Sequence, residues 1–379
     1  MRLAISSTTL LAWLLAACAS TPTTTGGADA STAALDASVS DAGSNDSRCA
    51  EPNTPSSTNC GTLSWETSET KSRPRNHHVT LLATTKAGPA LYVLGGVEGS
   101  KELTSVDRIT LSKDGVLGES VETTPMPMAM GGHVGVVVPG AIFVAGGMGM
   151  SGVSNESHAA PLLDDGSVGA WKMGPSVLQK RMHAGAFASG NTVYVLGGFN
   201  DPNVWDDIVR TTVDPSGTIA EFSSAGKLPG PLSHFGLIYA NGYVYVTGGL
   251  DKSAYANPPA RKDVHRGRVK EDGTIGDWTA MPPLPRALAT HGMFLYGGYM
   301  YVVAGIQITG AANQEKAVWR APLLPDHGLG PWEASAPLPM AKGHAHHAPV
   351  FGTHVYSVGG AVDFALKSTD AIHVGTFTL

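Results

Sequence analysis

The chain has 379 residues, 42% of them hydrophobic and 15% charged, a balance that excludes a disordered polymer and allows one large core or two ordinary ones. A formal net charge of −6 gives no basic footprint, which excludes nucleic acid as a partner. Forty-seven glycines and 25 prolines without a Gly-X-Y period favour many short strands joined by turns over long helices.

The first segment reads as an address. Arg2 precedes an apolar stretch from Leu10 to Leu15, and Ala16 and Ala17 lead into Cys18. The string Leu15-Ala16-Ala17-Cys18 resembles the bacterial lipobox, which implies a signal peptide over residues 1–18 and acylation of Cys18. Ala19 is not the aspartate that marks inner-membrane retention, so the outer membrane is the expected location. No later apolar run is long enough to cross a bilayer, and anchoring is expected through lipid alone.

Residues 19–48 are almost all Ala, Ser, Thr, Gly and Asp, a composition that cannot build a core and that predicts a flexible tether. Its random-coil span is roughly 30 Å. Cys49 and Cys60 are the only other cysteines, and in an oxidising compartment they are expected to form one short disulfide rather than remain free thiols. The folded domain is then residues 49–379.

A repeat dominates that domain. YVLGG ends at Gly96, FVAGG at Gly147, YVLGG at Gly198, YVTGG at Gly249 and YSVGG at Gly360, with a weakened YVVAG ending at Gly305. Taking 95, 146, 197, 248, 305 and 359 as marks, the intervals are 51, 51, 51, 57 and 54. A second signal keeps the same period: Asp165-Gly166-Ser167-Val168-Gly169-Ala170-Trp171 matches Asp272-Gly273-Thr274-Ile275-Gly276-Asp277-Trp278, with weaker copies at Asp114, Ser216 and His327. An Asp-Gly pair between alternating apolar residues is a hairpin turn, because glycine accepts the positive φ such turns need. Each period thus holds four strands, in the second about His133 to Val138, Ala141 to Ala145, Ser157 to Leu163 and Val168 to Met173. Four-stranded antiparallel units at this period are the mark of propeller blades.

In its double glycine, its later tryptophan and its basic residue before the first strand, residues 61–379 resemble the kelch family, which implies an all-β, six-bladed β-propeller. After Gly360 there is room only for a third strand, about Ala371 to Leu379, whereas Gly61-Thr62-Leu63-Ser64-Trp65 is a shortened copy of the fourth-strand signal. The N-terminal strand is therefore expected to complete the last blade and close the ring. Trp65, Trp171, Trp278 and Trp332, with Phe222 substituting once, are expected to pack between blades. Trp205 breaks the repeat and is expected to be exposed.

Histidine is the chemically versatile residue that recurs. His78, His133, His183, His234 and His291 each precede an innermost strand, and His344, His346 and His347 lie at the sixth equivalent, so one ring of imidazoles is expected near one mouth. Arg75, Arg181, Arg286 and Lys342 add positive charge there. The ligand-binding candidates are His78, His133, His183, His234, His291, His346, Arg181 and Trp205. No cofactor and no metal are expected; at the seam His77, His344 and His346 are the weak candidates for one. The loops after the double glycines, such as Phe199 to Asp206, open on the same mouth and differ most among the repeats, which is where recognition belongs.

Three function classes follow. The first is a monomeric, lipid-anchored binding module for a protein or glycan. The second is an enzyme similar to the periplasmic kelch mutarotase that acts on sialic acid, for which Asp201, Asp206, Asp207, Asp251 and Asp263 lie near the right loops without a motif that assigns any catalytic residue. The third, a copper oxidase like the galactose-oxidase kelch enzymes, needs a cysteine inside the propeller, and none follows Cys60.

Overall fold

A computed structural model describes residues 61–309 and 311–378. The signal segment, the tether and Cys18, Cys49 and Cys60 lie outside the described residues. Among the described residues the chain is all-β, interrupted by one 3-10 turn at Ala254–Ala256.

The first repeat sets the pattern. Val79–Thr85 pairs with Gly88–Leu94, that strand with Val106–Leu111, and the last with Leu117–Thr123, all antiparallel. Leu91, Tyr92, Val93 and Leu94 are fully buried, because the second strand is covered on both faces by neighbouring repeats. The exposed fourth strand carries Gly118, Glu119, Ser120 and Glu122 and faces water.

Six separate four-stranded sheets were expected. Four are separate, and the strands of the third and fourth repeats run together as one eight-stranded sheet. The physical reason is local: Gly226, without a side chain, brings its backbone against Ile275 in a single parallel bridge. In the second repeat the third strand stops at Pro161 and the fourth shrinks to Lys172–Met173, since proline removes a ladder donor. The strand Thr62–Arg75 pairs antiparallel with Thr369–Thr378, placing Leu63 opposite Phe377 and Trp65 opposite Gly375.

The core sits between repeats. Leu91, Val93 and Ile109 of the first pack with Tyr356, Val358 and Ile372 of the sixth, and Tyr92 and Leu94 pack with Ile142 and Val144 of the second. Tyrosines of the second strands tie the layers by donating to the hairpin turn of the next repeat: Tyr92 to Gly166 O at 2.7 Å, Tyr194 to Gly273 O at 3.1 Å, and Tyr356 to Gly115 O at 2.5 Å. The tryptophans act in the opposite direction, with Trp171 Nε1 on Thr124 O, Trp278 Nε1 on Lys227 O and Trp332 Nε1 on Pro282 O. Radially stacked sheets of this kind form a β-propeller arrangement.

Candidate functional site

Each repeat delivers one residue to the axis in left-handed conformation: His77, Gly132, His183, His234, Thr290 and His344, with φ between 50° and 66°. Their amides form a circuit. Gly132 N donates to His77 O (2.8 Å), His183 N to Gly132 O (2.8 Å), His234 N to His183 O (3.0 Å) and Thr290 N to His234 O (2.8 Å). His344 N donates to the Thr290 hydroxyl (3.1 Å), and His77 N to His344 O (3.1 Å) completes the loop.

The double glycines support that circuit. In each pair both residues have positive φ, and the second donates its amide to the repeat ahead: Gly96 to Met130 O, Gly147 to Arg181 O, Gly198 to Leu232 O and Gly360 to Arg75 O, all at 2.8–2.9 Å. A Cβ on Gly248 would stand 2.3 Å from Leu288 O, so close approach as well as φ demands glycine there. The fifth repeat differs by one residue from the sequence reading, since Ala304 with φ 61° takes the first-glycine place and Gly305 the second.

The expected single ring of histidines divides into two columns. His77, His183, His234 and His344 occupy the axial column, whereas His78, His133 and His291 follow it by one residue and pack outward under the glycines. Around the axis His77 stacks on His344 at 3.8 Å and His183 on His234 at 3.9 Å, with His77 edge-on to His183 at 5.0 Å. His346 lies in the segment that leads into the sixth innermost strand, Val350–Phe351, and reaches to 5.6 Å from His183. Ligand nitrogens of His183, His344 and His346 all come within 4.8 Å of one another. Sequence reasoning missed that His183 joins the seam histidines and that Gly132 and Thr290 share their column. Counting back from the first glycine reveals the column: fourteen residues in the middle four repeats with Ala304 as the mark, eighteen in the first and fifteen in the sixth.

Burial sets the electrostatics. It lowers His77, His133, His234 and His291 to about 3, so these imidazoles are neutral at physiological pH. His183, His344 and His346 are held well below the usual histidine value, first by burial and then by neighbouring imidazoles. Asn76 Oδ1 contacts His77 Nδ1, Ser233 Oγ lies 3.0 Å from His234 Nδ1, and Thr247 Oγ1 lies 2.9 Å from His291 Nε2. Neutral imidazole can accept a hydrogen bond or ligate a metal; it cannot pair with an anion.

No family model matches the chain. The Kelch-like protein terF of Aspergillus terreus is 24% identical over 306 residues, which covers 76% of this chain and 61% of that protein. Beta-scruin of Limulus polyphemus is 25% identical over 262 residues (65% of this chain, 27% of that one), and Kelch-like protein 35 of Mus musculus is 25% identical over 204 (53% and 31%). The chain therefore spans less than two thirds of these curated relatives. A solved structure described as "Structure of YjhT" superposes with a TM-score of 0.62 at 12% identity, covering 80% of this chain and 95% of that one, a likeness of fold alone.

The chain is a β-propeller similar to kelch-repeat proteins. In this propeller the basic residues beside the axis are internal braces. Arg75 is fully buried, meets Asp107 and Ser105, and donates to Gly95 O at 2.8 Å. Arg181, a ligand candidate from the sequence, is 1% exposed, donates to both Asp207 oxygens at 3.0 and 2.7 Å and to Gly197 O at 2.7 Å, and has no surface left for a ligand. Arg286 pairs with Glu315. Trp205 is half-buried rather than exposed, because its Nε1 donates to Lys180 O at 3.1 Å.

Lys342 holds the same place in the sixth repeat without a carboxylate. Its Nζ donates to Ser357 O at 2.9 Å, and His373 pairs with Ser357 as Asp107 does with Val93. Burial lowers the amine to about 7. For a base with a depressed folded pKa, the unfolded chain binds more protons between that value and the ordinary lysine range, so stability rises with pH over about 7 to 10.5. Lys342→Met is expected to remove this rise and to stabilise the fold at pH 7 by about 1–4 kcal/mol, as replacement of a buried ion by an apolar side chain does. Urea midpoints measured from pH 7 to 10 check it; a parallel rise in parent and variant would count against the assignment.

The face that carries the loops is apolar beneath and varied above. Val97, Met148, Met182 and Phe199 form one cluster with Val204 and Tyr255 packed on it, and Phe199 lies 5.1 Å from His234 and 6.0 Å from His183. Met150 is 79% exposed and Phe364 40% exposed on two of these loops.

Proposed function

We propose that this kelch propeller is a lipid-anchored binding module of the cell envelope, acylated at Cys18 and presenting its loop face to a protein or glycan. The observation that carries the reading is the contrast between a rigid scaffold and a varied loop face that exposes Met150 and Phe364 and carries the half-buried Trp205. The rival sugar-acting enzyme needs free carboxylates, and the candidates are engaged: Asp206 with Lys227, Asp207 with Arg181, Asp251 and Asp263 with Arg261, and Asp201 with Ser253. For a ligand found by glycan-array or envelope-protein binding, Phe364→Glu or Trp205→Ala is expected to weaken binding at least about tenfold, the loss of one aromatic anchor. Val121→Glu on an outer strand should leave it unchanged. Cys18→Ser should abolish palmitate labelling and release the chain from membranes. Equal losses at Val121, or turnover of a free sugar, would overturn the binding reading.

We also read the ring as six blades closed by the strand Thr62–Arg75, with the eight-stranded sheet as two blades. Support comes from the single bridge that joins its halves, from the axial circuit that returns to His77 after six residues, and from the contacts of Leu91 and Val93 with Tyr356 and Val358.

A further inference from the structure

We propose that His183, His344 and His346 bind one divalent transition-metal ion of the zinc or copper class on the propeller axis. The inference goes beyond the binding-module reading and does not depend on it.

Three observations converge. The ligand nitrogens of the three side chains lie within 4.8 Å of one another, although His183 belongs to the third repeat and the other two to the sixth, on opposite sides of the ring. Imidazole nitrogens about 2.0–2.1 Å from a tetrahedral zinc are about 3.4 Å apart, so small ring rotations close the gap. His183 Nδ1, His344 Nδ1 and His346 Nε2 are buried and have no hydrogen-bond partner among the described residues. A buried imidazole nitrogen without a partner loses its hydration for nothing, and a metal ion is one group that restores the loss.

The surroundings leave room for that ion. In the axial column the second repeat supplies Gly132, and a Cβ there would stand 3.0 Å from His183 Nε2. His77 stacks on His344, and His234 on His183, which fixes the planes of two of the three ligands. Ser233 and Asn76 in turn engage His234 and His77. Donor chemistry then selects the ion. Imidazoles without a carboxylate suit zinc, copper or nickel and do not suit calcium or magnesium, which want oxygen. Three neutral ligands leave the charge of the ion unbalanced and one position free, and His346, the partly exposed member, marks the side from which water or an anion completes the shell.

The test uses the tag-free full-length chain, stripped with chelator and then given Zn2+ or Cu2+ alone. The expected result is one equivalent retained after dialysis, and a Cu2+ paramagnetic resonance spectrum with coupling to three imidazole nitrogens. His346→Ala and His183→Ala are expected to weaken binding by about a hundredfold, while His354→Ala, at the start of the second strand of the sixth repeat and outside the cluster, leaves it intact. Thermal midpoints in chelator report whether each variant folds, and the spectrum of the unmodified chain decides the matter if one does not. Substoichiometric retention, coupling to fewer than two imidazoles, or undiminished binding in folded His346→Ala each overturns the proposal.

Discussion

Between pH 7 and pH 5 the propeller is expected to lose most of its stability. His77, His133, His234 and His291 have folded values near 3, and burial is the largest cause in each. Unfolded histidine titrates near 6.5, so between about pH 3 and 6.5 the unfolded chain binds more protons than the folded one. The stability contributed by the neutral rings is fully present above about 6.5 and is lost as the pH falls below it. At pH 5 each ring costs about 2 kcal/mol, taking about 1.4 kcal/mol per pKa unit, and four together match the whole stability of a typical domain. Chemical-denaturation midpoints from pH 7.5 to 5 check this in chelator, and His133→Met should flatten the fall by one ring's share. A midpoint independent of pH over that range would mean that these rings are not buried neutral.

The second large effect belongs to the strand Thr62–Arg75. Leu63 is 5% exposed and packs in the cluster that contains Phe377, Tyr301 and Val355. Leu63→Ala is expected to cost about 2–5 kcal/mol, the range for a buried leucine in a core that cannot collapse. Deletion of residues 61–75 should do far more. It strips the outer partner from Thr369–Thr378 and removes Arg75, leaving Asp107 buried without its counter-charge. Loss of cooperative unfolding is the expected outcome, read by circular dichroism and calorimetry. A deleted chain that melts sharply near the parental temperature would mean that the pairing of this strand with Thr369–Thr378 does not hold the fold together.

How much of this was legible depends on what the backbone demands. Double glycines and Asp-Gly turns are written in the sequence because positive φ and close approach exclude other residues, and they located the repeats. Where another residue took the strained place, as Ala304 does with φ 61°, the register slipped by one. The histidines failed for a related reason. Two adjacent columns both accept histidine, so His78 and His133 looked equivalent to His183 and His234, and only distance from the glycines separates them. The meeting of His183 with His344 and His346 left no local trace, because a contact across an axis has no sequence period. Arg181 looked available for a ligand because its partner Asp207 stands 26 residues away.

The circuit of amides around the axis has a mechanical side. It is a hoop without slack: prising any two neighbouring repeats apart at the throat snaps a rung. Five of the six rungs join main chain to main chain and are immune to side-chain substitution. The sixth runs from His344 to the hydroxyl of Thr290, so dilation of the bore begins between the fifth and sixth repeats, beside His344, and not at the strand pair that joins the two ends of the fold.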